Sequence, residues 1–222
     1  MKPVPGQLGA ILDALRKQYG AIELPEPRKP FALIVWENCA YLVDDERRAQ
    51  TYERLRKTVG IAPQRMIAAG AKRIESAIRE GGMQPPHRAA KVFASAQLAL
   101  DVSDEEWRDR RVLKRFPGIA DPGADKVLLL CGLGDAPALD SNGLRVLERL
   151  HVVTPGQAYA AAYRAGVGAL SAAGVRGQKA LDAFALLRAH GRELCKRAAP
   201  LCAACSLRHS CPSASERTSS RS

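Results

Sequence analysis

Apolar residues recur at helical spacing along most of the chain. Leu8, Ile11, Leu12, Leu15 and Tyr19 make one stripe, and Gly20 behind them is a natural helix stop. Pro25, Pro27 and Pro30 then break the pattern and predict a link between lobes. Residues 31–43 are almost wholly apolar but shorter than the ~20 residues of a membrane span, which predicts a central buried helix with Glu37 and Asn38 as its polar exceptions. Residues 44–58 are charged and keep Ala49, Tyr52, Leu55 and Val59 on one face. Two more helices are predicted over 63–69 and 71–80, stopped by Gly81 and Gly82, and Pro85-Pro86 opens another through Val92, Phe93 and Leu98. Ser103 with Glu106 forms a capping box for a helix carrying Trp107, Val112 and Leu113. Thr154, Pro155 and Gln157 predict a further start, with Pro155 at the first helical position, and residues 177–194 predict the last helix. No segment alternates convincingly with strand period, so the predicted class is all-α, with about ten helices. The Pro-, Ser-, Glu-, Thr- and Arg-rich stretch 212–222 predicts a disordered tail.

Charge adds a partner class to this picture. The 222 residues include 34 Lys and Arg against 23 Asp and Glu, a formal net charge of +11. That length makes one large or two small domains. The basic balance favours a polyanion, most simply nucleic acid, over an ordinary basic soluble enzyme. No apolar run approaches a membrane span, and the expectation is a cytoplasmic protein with access to DNA, nucleoid-associated in a bacterium.

The chemistry concentrates near the C-terminus. Cys195, Cys202, Cys205 and Cys211 are spaced C-x6-C-x2-C-x5-C, four of the chain's six cysteines. Disulfides, a zinc site and an iron–sulfur cluster all use such residues. No secretory signal is evident, which disfavours disulfides. Structural zinc usually takes two close Cys pairs, and only Cys202 and Cys205 make one. A loop winding around a cluster tolerates the uneven spacing. Cys39 and Cys131 fall in apolar stretches and read as buried small residues; His87, His151, His190 and His209 form no spaced pair.

The segment Gly191-Arg-Glu-Leu-Cys195, followed by Cys202, Cys205 and Cys211, resembles the [4Fe-4S] loop of the endonuclease III group of DNA glycosylases, interval by interval. Residues 116–130, Phe-Pro-Gly-Ile-Ala-Asp-Pro-Gly-Ala-Asp-Lys-Val-Leu-Leu-Leu, resemble that superfamily's helix-hairpin-helix, about 107–131 here. Pro117 and Gly118 match; Ala120 stands where the family has a second hairpin glycine, and Asp121 beside it would oppose a phosphate unless it points away. The resemblance implies a two-lobed all-α fold: a six-helix barrel over 30–135, and a cluster domain of 1–29 with 136–211. It implies a [4Fe-4S] cofactor on the four cysteines and a monomer acting on double-stranded DNA that holds a lesion or mismatch, with the duplex across the cleft between the lobes.

Site residues follow from the same resemblance. Asp140 matches the superfamily's aspartate at a helix start beside the active site; on chemistry alone it also reads as an N-cap. A fixed carboxylate there can stabilise positive charge on the deoxyribose and orient water. Glu37 matches a glutamate of mismatch glycosylases, or is a structural acid paired with an arginine. The family's strand-cutting lysine is replaced by Pro122, which has no amine to form a Schiff base, so the expected activity is that of a monofunctional glycosylase. The alternative is a non-catalytic iron–sulfur DNA-binding protein. DNA-backbone contacts are expected from Gly118, Ala120, Gly123, Lys126, Lys196, Arg197 and Arg208, with Lys126 read as structural or phosphate-facing. Tyr41, Leu42, Met83 and Gln84 fall near the residues that wedge the base step.

Overall fold

The computed structural model describes residues 5–214. Among them are ten α-helices: α1 (Pro5–Tyr19), α2 (Pro30–Cys39), α3 (Asp45–Thr58), α4 (Pro63–Ile78), α5 (Pro85–Ala99), α6 (Arg110–Leu113), α7 (Asp121–Leu130), α8 (Ser141–Arg149), α9 (Tyr159–Ala172) and α10 (Gln178–Glu193). The described residues hold no strand, only an isolated bridge between Tyr41 and Gly82. No helix is long and apolar enough to cross a membrane. The chain folds as two compact units, one of Pro25–Gly134 and one of Met1–Leu24 with Asp135–Ser222.

In the unit of Pro25–Gly134, α2 is apolar on nearly every face and buries Phe31, Leu33, Ile34, Val35, Trp36 and Cys39. A helix apolar all round can only be stable surrounded by others; α3, α5 and α7 pack on it. Asp44 caps α3 by accepting from Arg47 N at 2.8 Å. The two helices expected over 63–69 and 71–80 are both present: α4 is broken between them at Gly70, whose non-helical φ of 74° is open to glycine. The other unit packs α8 on α10 and α1 on α10 and α9, with Leu8, Leu15, Leu139, Leu147, Phe184 and Leu187 fully or nearly fully buried.

Four expectations need correction. The helix expected over 31–43 stops at Cys39, because Ala40 is extended, Tyr41 N donates to Gly81 O at 2.8 Å, and Leu42 is left-handed with φ 55°. The capping box of Ser103 and Glu106 is present, with Ser103 N donating to Glu106 Oε2 at 2.9 Å, but it opens only a 3-10 turn, Glu106–Arg108. Asp109 then goes extended and starts α6 with its own cap on Arg111 N at 2.7 Å. The start expected at Thr154 and Pro155 is delayed to Tyr159, since Gly156 turns left-handed (φ 78°) and unwinds that stretch. Residues 212–214 make a helical turn, Ala214 N donating to Cys211 O at 3.0 Å, so disorder does not begin behind Cys211; the rest of the expected tail, 215–222, lies outside the described residues.

Candidate functional site

The end of α10 delivers the first cysteine, and the loop behind it winds back over α8. All four cysteines of this loop are free thiols and line one apolar-walled cavity with Val146, Leu150, Leu194 and Leu207. Arg149 of α8 holds the loop's first turn. Its guanidinium donates to the carbonyls of Cys195 (3.1 Å), Lys196 (2.8 Å) and Arg197 (2.9 Å), and to Cys195 Sγ at 3.2 Å. Those bonds use backbone carbonyls, so the Lys196 and Arg197 side chains stay exposed, as does Arg208. Burial, with the neighbouring sulfurs adding to it, pushes the Cys205 and Cys211 thiols up. Four thiols that must all ionise in one apolar pocket need a cation to do so; as a donor set they fit a thiolate-ligated metal group. Among the described residues, no group of three or more His, Cys, Asp or Glu side chains is arranged to hold a metal ion as it stands.

His190 was not singled out by the sequence, since the four histidines form no spaced pair. In the structure it is buried on α10, with Nδ1 3.0 Å from Tyr19 Oη and Nε2 3.5 Å from Cys205 Sγ. Burial lowers its pKa to about 4.

Asp140 caps α8. Its Oδ1 accepts from Asn142 N at 2.9 Å and Gly143 N at 2.7 Å, and its Oδ2 from Asn142 Nδ2 at 2.9 Å, with Arg188 Nε of α10 3.5 Å away. The carboxylate is therefore fixed in position and still partly open to solvent. A hydrogen-bonded path leads from it to the cysteine loop. Asn142 Oδ1 accepts from Arg145 Nη2 at 2.9 Å, and Arg145 donates in turn to Gly191 O (2.6 Å) and Cys195 O (2.9 Å). Gly191 is required there, because a Cβ would collide with the Asn142 backbone. Burial, and after it the charge of nearby Asp140, raises the pKa of Tyr159, half exposed at the start of α9.

Glu37 sits on the less covered side of α2. Its partner is not an arginine: Oε1 accepts from Lys126 Nζ of α7 at 2.8 Å, and the same ammonium lies 2.9 Å from Glu26. Lys126 is 10% exposed, so its reading as a phosphate contact is corrected: two carboxylates already hold its charge inside the unit. Burial alone would raise the Glu37 pKa; the Lys126 charge and hydrogen bond, with Arg48 behind them, outweigh it and leave the carboxyl below the usual range. A depressed pKa contributes stability that is full above the unfolded value and lost as pH falls through the folded one. Lys126→Gln strands both acids, so the stability gap between wild type and K126Q is expected to be widest at neutral pH and to close on acidification. Urea melts at neutral pH and about pH 4 test this; a gap independent of pH would overturn it.

The four wedge candidates stand together on two tied loops. Tyr41, Leu42 and Met83 are 52%, 72% and 58% exposed, and Gln84 is exposed with φ 54°. Arg88 of α5, itself buried, ties the loops from below. It donates to the carbonyls of Cys39, Ile78 (3.1 Å), Gly82 (2.9 Å) and Met83 (2.8 Å). Arg48 of α3 adds bonds to Trp36 O at 2.9 Å and Ala40 O at 3.0 Å, closing the end of α2. Nothing in the periodicity marks these two arginines as different from others on amphipathic helices.

The stretch between α6 and α7 is a tight hairpin. Gly118 has φ 80°, and a Cβ there would strike Asn38 Oδ1. The Asn38 amide donates to Pro117 O at 3.0 Å and so pins the hairpin to α2. Ala120 is the N-cap of α7 without a side-chain bond, leaving first-turn N–H groups uncapped by it. Gly123 packs closely on Ile119. Asp121 bonds Lys114 at 2.5 Å and Arg110 at 3.1 Å, pairings that lower its pKa and offset its charge. Exposed Arg111, Lys114 and Arg115 surround the hairpin, a basic group that the sequence reading did not assign.

No protein-family model matches the chain. The chain is 28% identical over 190 residues to endonuclease III of Sulfolobus acidocaldarius, covering 83% of this chain and 82% of that protein. The chain is a homologue of endonuclease III. It has the endonuclease III fold: a trapped endonuclease III–DNA covalent intermediate superposes with a TM-score of 0.84 at 22% identity, covering 97% of this chain and 99% of that one. A shorter match, 33% identical over 90 residues, is to the thymine/uracil-DNA glycosylase of Pyrobaculum aerophilum and covers 40% of this chain and 39% of that protein. The resemblance read from the cysteine spacing is thus borne out, as is the all-helical class.

Proposed function

We propose that the chain is a DNA glycosylase that hydrolyses the N-glycosidic bond of a damaged or mismatched base and leaves the abasic strand whole. The observation that carries this reading is Asp140, a carboxylate held rigid by α8 in a homologue of endonuclease III. As the base leaves, positive charge builds on the deoxyribose. A carboxylate locked by two backbone N–H bonds needs no reorganisation to stabilise it and to orient water for attack. Glu37, kept anionic by Lys126, is suited to electrostatic support or proton acceptance and not to donating a proton at neutral pH.

The absence of strand cutting rests on two residues. Pro122 occupies the first turn of α7, where a Schiff-base lysine would stand. Lys126, one turn on, is held by two carboxylates, whereas a nucleophilic lysine needs its free amine. On this reading the duplex backbone meets the Gly118–Gly123 hairpin and the first turn of α7, supported by Lys114 and Arg115. Lys196, Arg197 and Arg208 make further phosphate contacts. Tyr41, Leu42, Met83 and Gln84 occupy the gap left when the base leaves the stack. The protein acts as a monomer, and Cys195, Cys202, Cys205 and Cys211 hold a [4Fe-4S] cluster. When bound, that group would supply a covalent hub for the loop through these four thiolates.

The test is base release from labelled duplexes carrying one lesion each, uracil and thymine mismatches included, read with and without alkali. Breaks only after alkali are expected, with no covalent adduct on borohydride treatment of abasic DNA. Breaks without alkali, or a trapped adduct, would refute hydrolysis by water alone. A second reading, binding without catalysis, draws on the Asp140 oxygens being already hydrogen-bonded; DNA binding with no release from any duplex would favour it.

A further inference from the structure

The C-terminal turn of α1 grips the middle of the cysteine loop. Gln18 Oε1 accepts from Ser206 Oγ at 2.6 Å, and Gln18 Nε2 donates to Ala204 O at 3.4 Å. The next residue, Tyr19, reaches His190 Nδ1 at 3.0 Å, and the opposite ring nitrogen points at Cys205 Sγ, 3.5 Å away. The two rings also meet edge to face, with centroids 5.9 Å apart. Two residues of α1 therefore fasten both the backbone on either side of Cys205 and, through an imidazole, its sulfur.

The proton positions follow from the sulfur. A metal-bound thiolate has no proton and can only accept, so Nε2 must carry the N–H that faces it. With that N–H on Nε2, a neutral ring accepts the Tyr19 O–H at Nδ1. The chain of donors then runs one way, Tyr19 O–H to Nδ1 and Nε2–H to Cys205 Sγ. We propose that Tyr19 and His190 are a positioning relay that donates a hydrogen bond to the Cys205 thiolate, holding it as a ligand and raising the reduction potential of the group it binds. The inference rests on the cluster reading above. Hydrogen bonds to ligand sulfurs are among the levers that set such potentials, and outer partners of this kind orient a ligand and strengthen binding. Arg149 plays a similar part at Cys195, but as a surface-facing cation that also caps three carbonyls. His190 is buried, meets the Cys205 sulfur, and is fixed from behind by Tyr19.

The experiment compares wild type, Tyr19→Phe, His190→Leu and His190→Gln as full-length purified proteins. It measures iron and sulfide content, reduction potential by film voltammetry, Fe–S(Cys) stretching bands by resonance Raman, and iron retention against a chelator. His190→Leu is expected to lower the potential, shift the Fe–S(Cys) bands up and reduce retention about tenfold. His190→Gln, whose amide can still donate, recovers most of each change. Tyr19→Phe keeps its ring and moves all three readouts in the same direction by less. Potential and Raman bands unchanged in both His190→Leu and Tyr19→Phe would overturn the relay while leaving the cluster standing. Wild type that holds no iron and sulfide sinks the cluster reading, and the relay with it. If His190→Leu does not fold, as judged by helical circular dichroism, Tyr19→Phe alone decides between these outcomes.

Discussion

Asp140→Asn is expected to slow base release by about a thousandfold while DNA affinity and melting temperature stay close to wild type. Asparagine is as good an N-cap as aspartate, and its carbonyl can still accept from Asn142 N and Gly143 N. What disappears is the negative charge, which is the part that stabilises the developing cation on the sugar. Its amide would face the Arg188 guanidinium and the Asn142 amide, two donors, so a small loss of stability is expected as well. Asn142→Ala provides the contrast. It removes one bond to Asp140 and breaks the path through Arg145 to Cys195, but it keeps the charge, so its rate should fall much less. Single-turnover release on the preferred duplex, with affinity measured in parallel, separates these effects. An unchanged rate in Asp140→Asn would remove Asp140 from the chemistry.

Arg88→Met should produce the largest loss of stability among the substitutions considered. One buried guanidinium satisfies the carbonyls of Cys39, Ile78, Gly82 and Met83. Methionine fills the space but donates nothing; Ile78 O keeps its bond from Gly81 N at 2.9 Å, while the carbonyls of Cys39, Gly82 and Met83 lose this donor, at about 1–3 kcal/mol each before water reaches any of them. A net loss of about 3–5 kcal/mol is expected, a fall in melting temperature on the order of 10 °C for a chain of this size. Arg88→Lys should recover little, because an ammonium cannot span four carbonyls as a planar fork does. Through Cys39 O on one side and Met83 O on the other, the fork ties the chain leading into Tyr41 to the loop of Met83. Loss of the fork should therefore also weaken any step that needs Leu42 and Met83 presented as a rigid pair. Calorimetry of the two variants is the check; melting within a degree or two of wild type would show that water replaces the guanidinium.

The candidate site was unevenly legible. The cysteine loop could be read because its four cysteines are close in sequence and their spacing is itself the signal. Asp140 could be read because an N-cap is local, its partners lying two and three residues ahead. Glu37 was visible as a polar residue in an apolar run, but its partner was not. Lys126 and Glu26 lie 89 and 11 positions away, and no local pattern distinguishes a lysine that will be buried from one that will face a phosphate. His190 is five residues before Cys195 yet meets Cys205, a contact made only when the loop closes back.

The sequence by itself determined the helical class, the basic character, the gathered thiols and the capped carboxylate. Each depends on composition or on residues within about one helical turn. Tertiary structure alone decided where α2 ends, since that depends on Tyr41 bonding to Gly81 across a long stretch of chain. It also decided that Lys126 is a buried counter-ion, that Asp121 is paired and not repulsive, that Arg88 holds two loops together and that His190 meets Cys205. In each of these the partner is far away in sequence, and burial, charge pairing and carbonyl satisfaction are properties of neighbours in space that chain spacing does not encode.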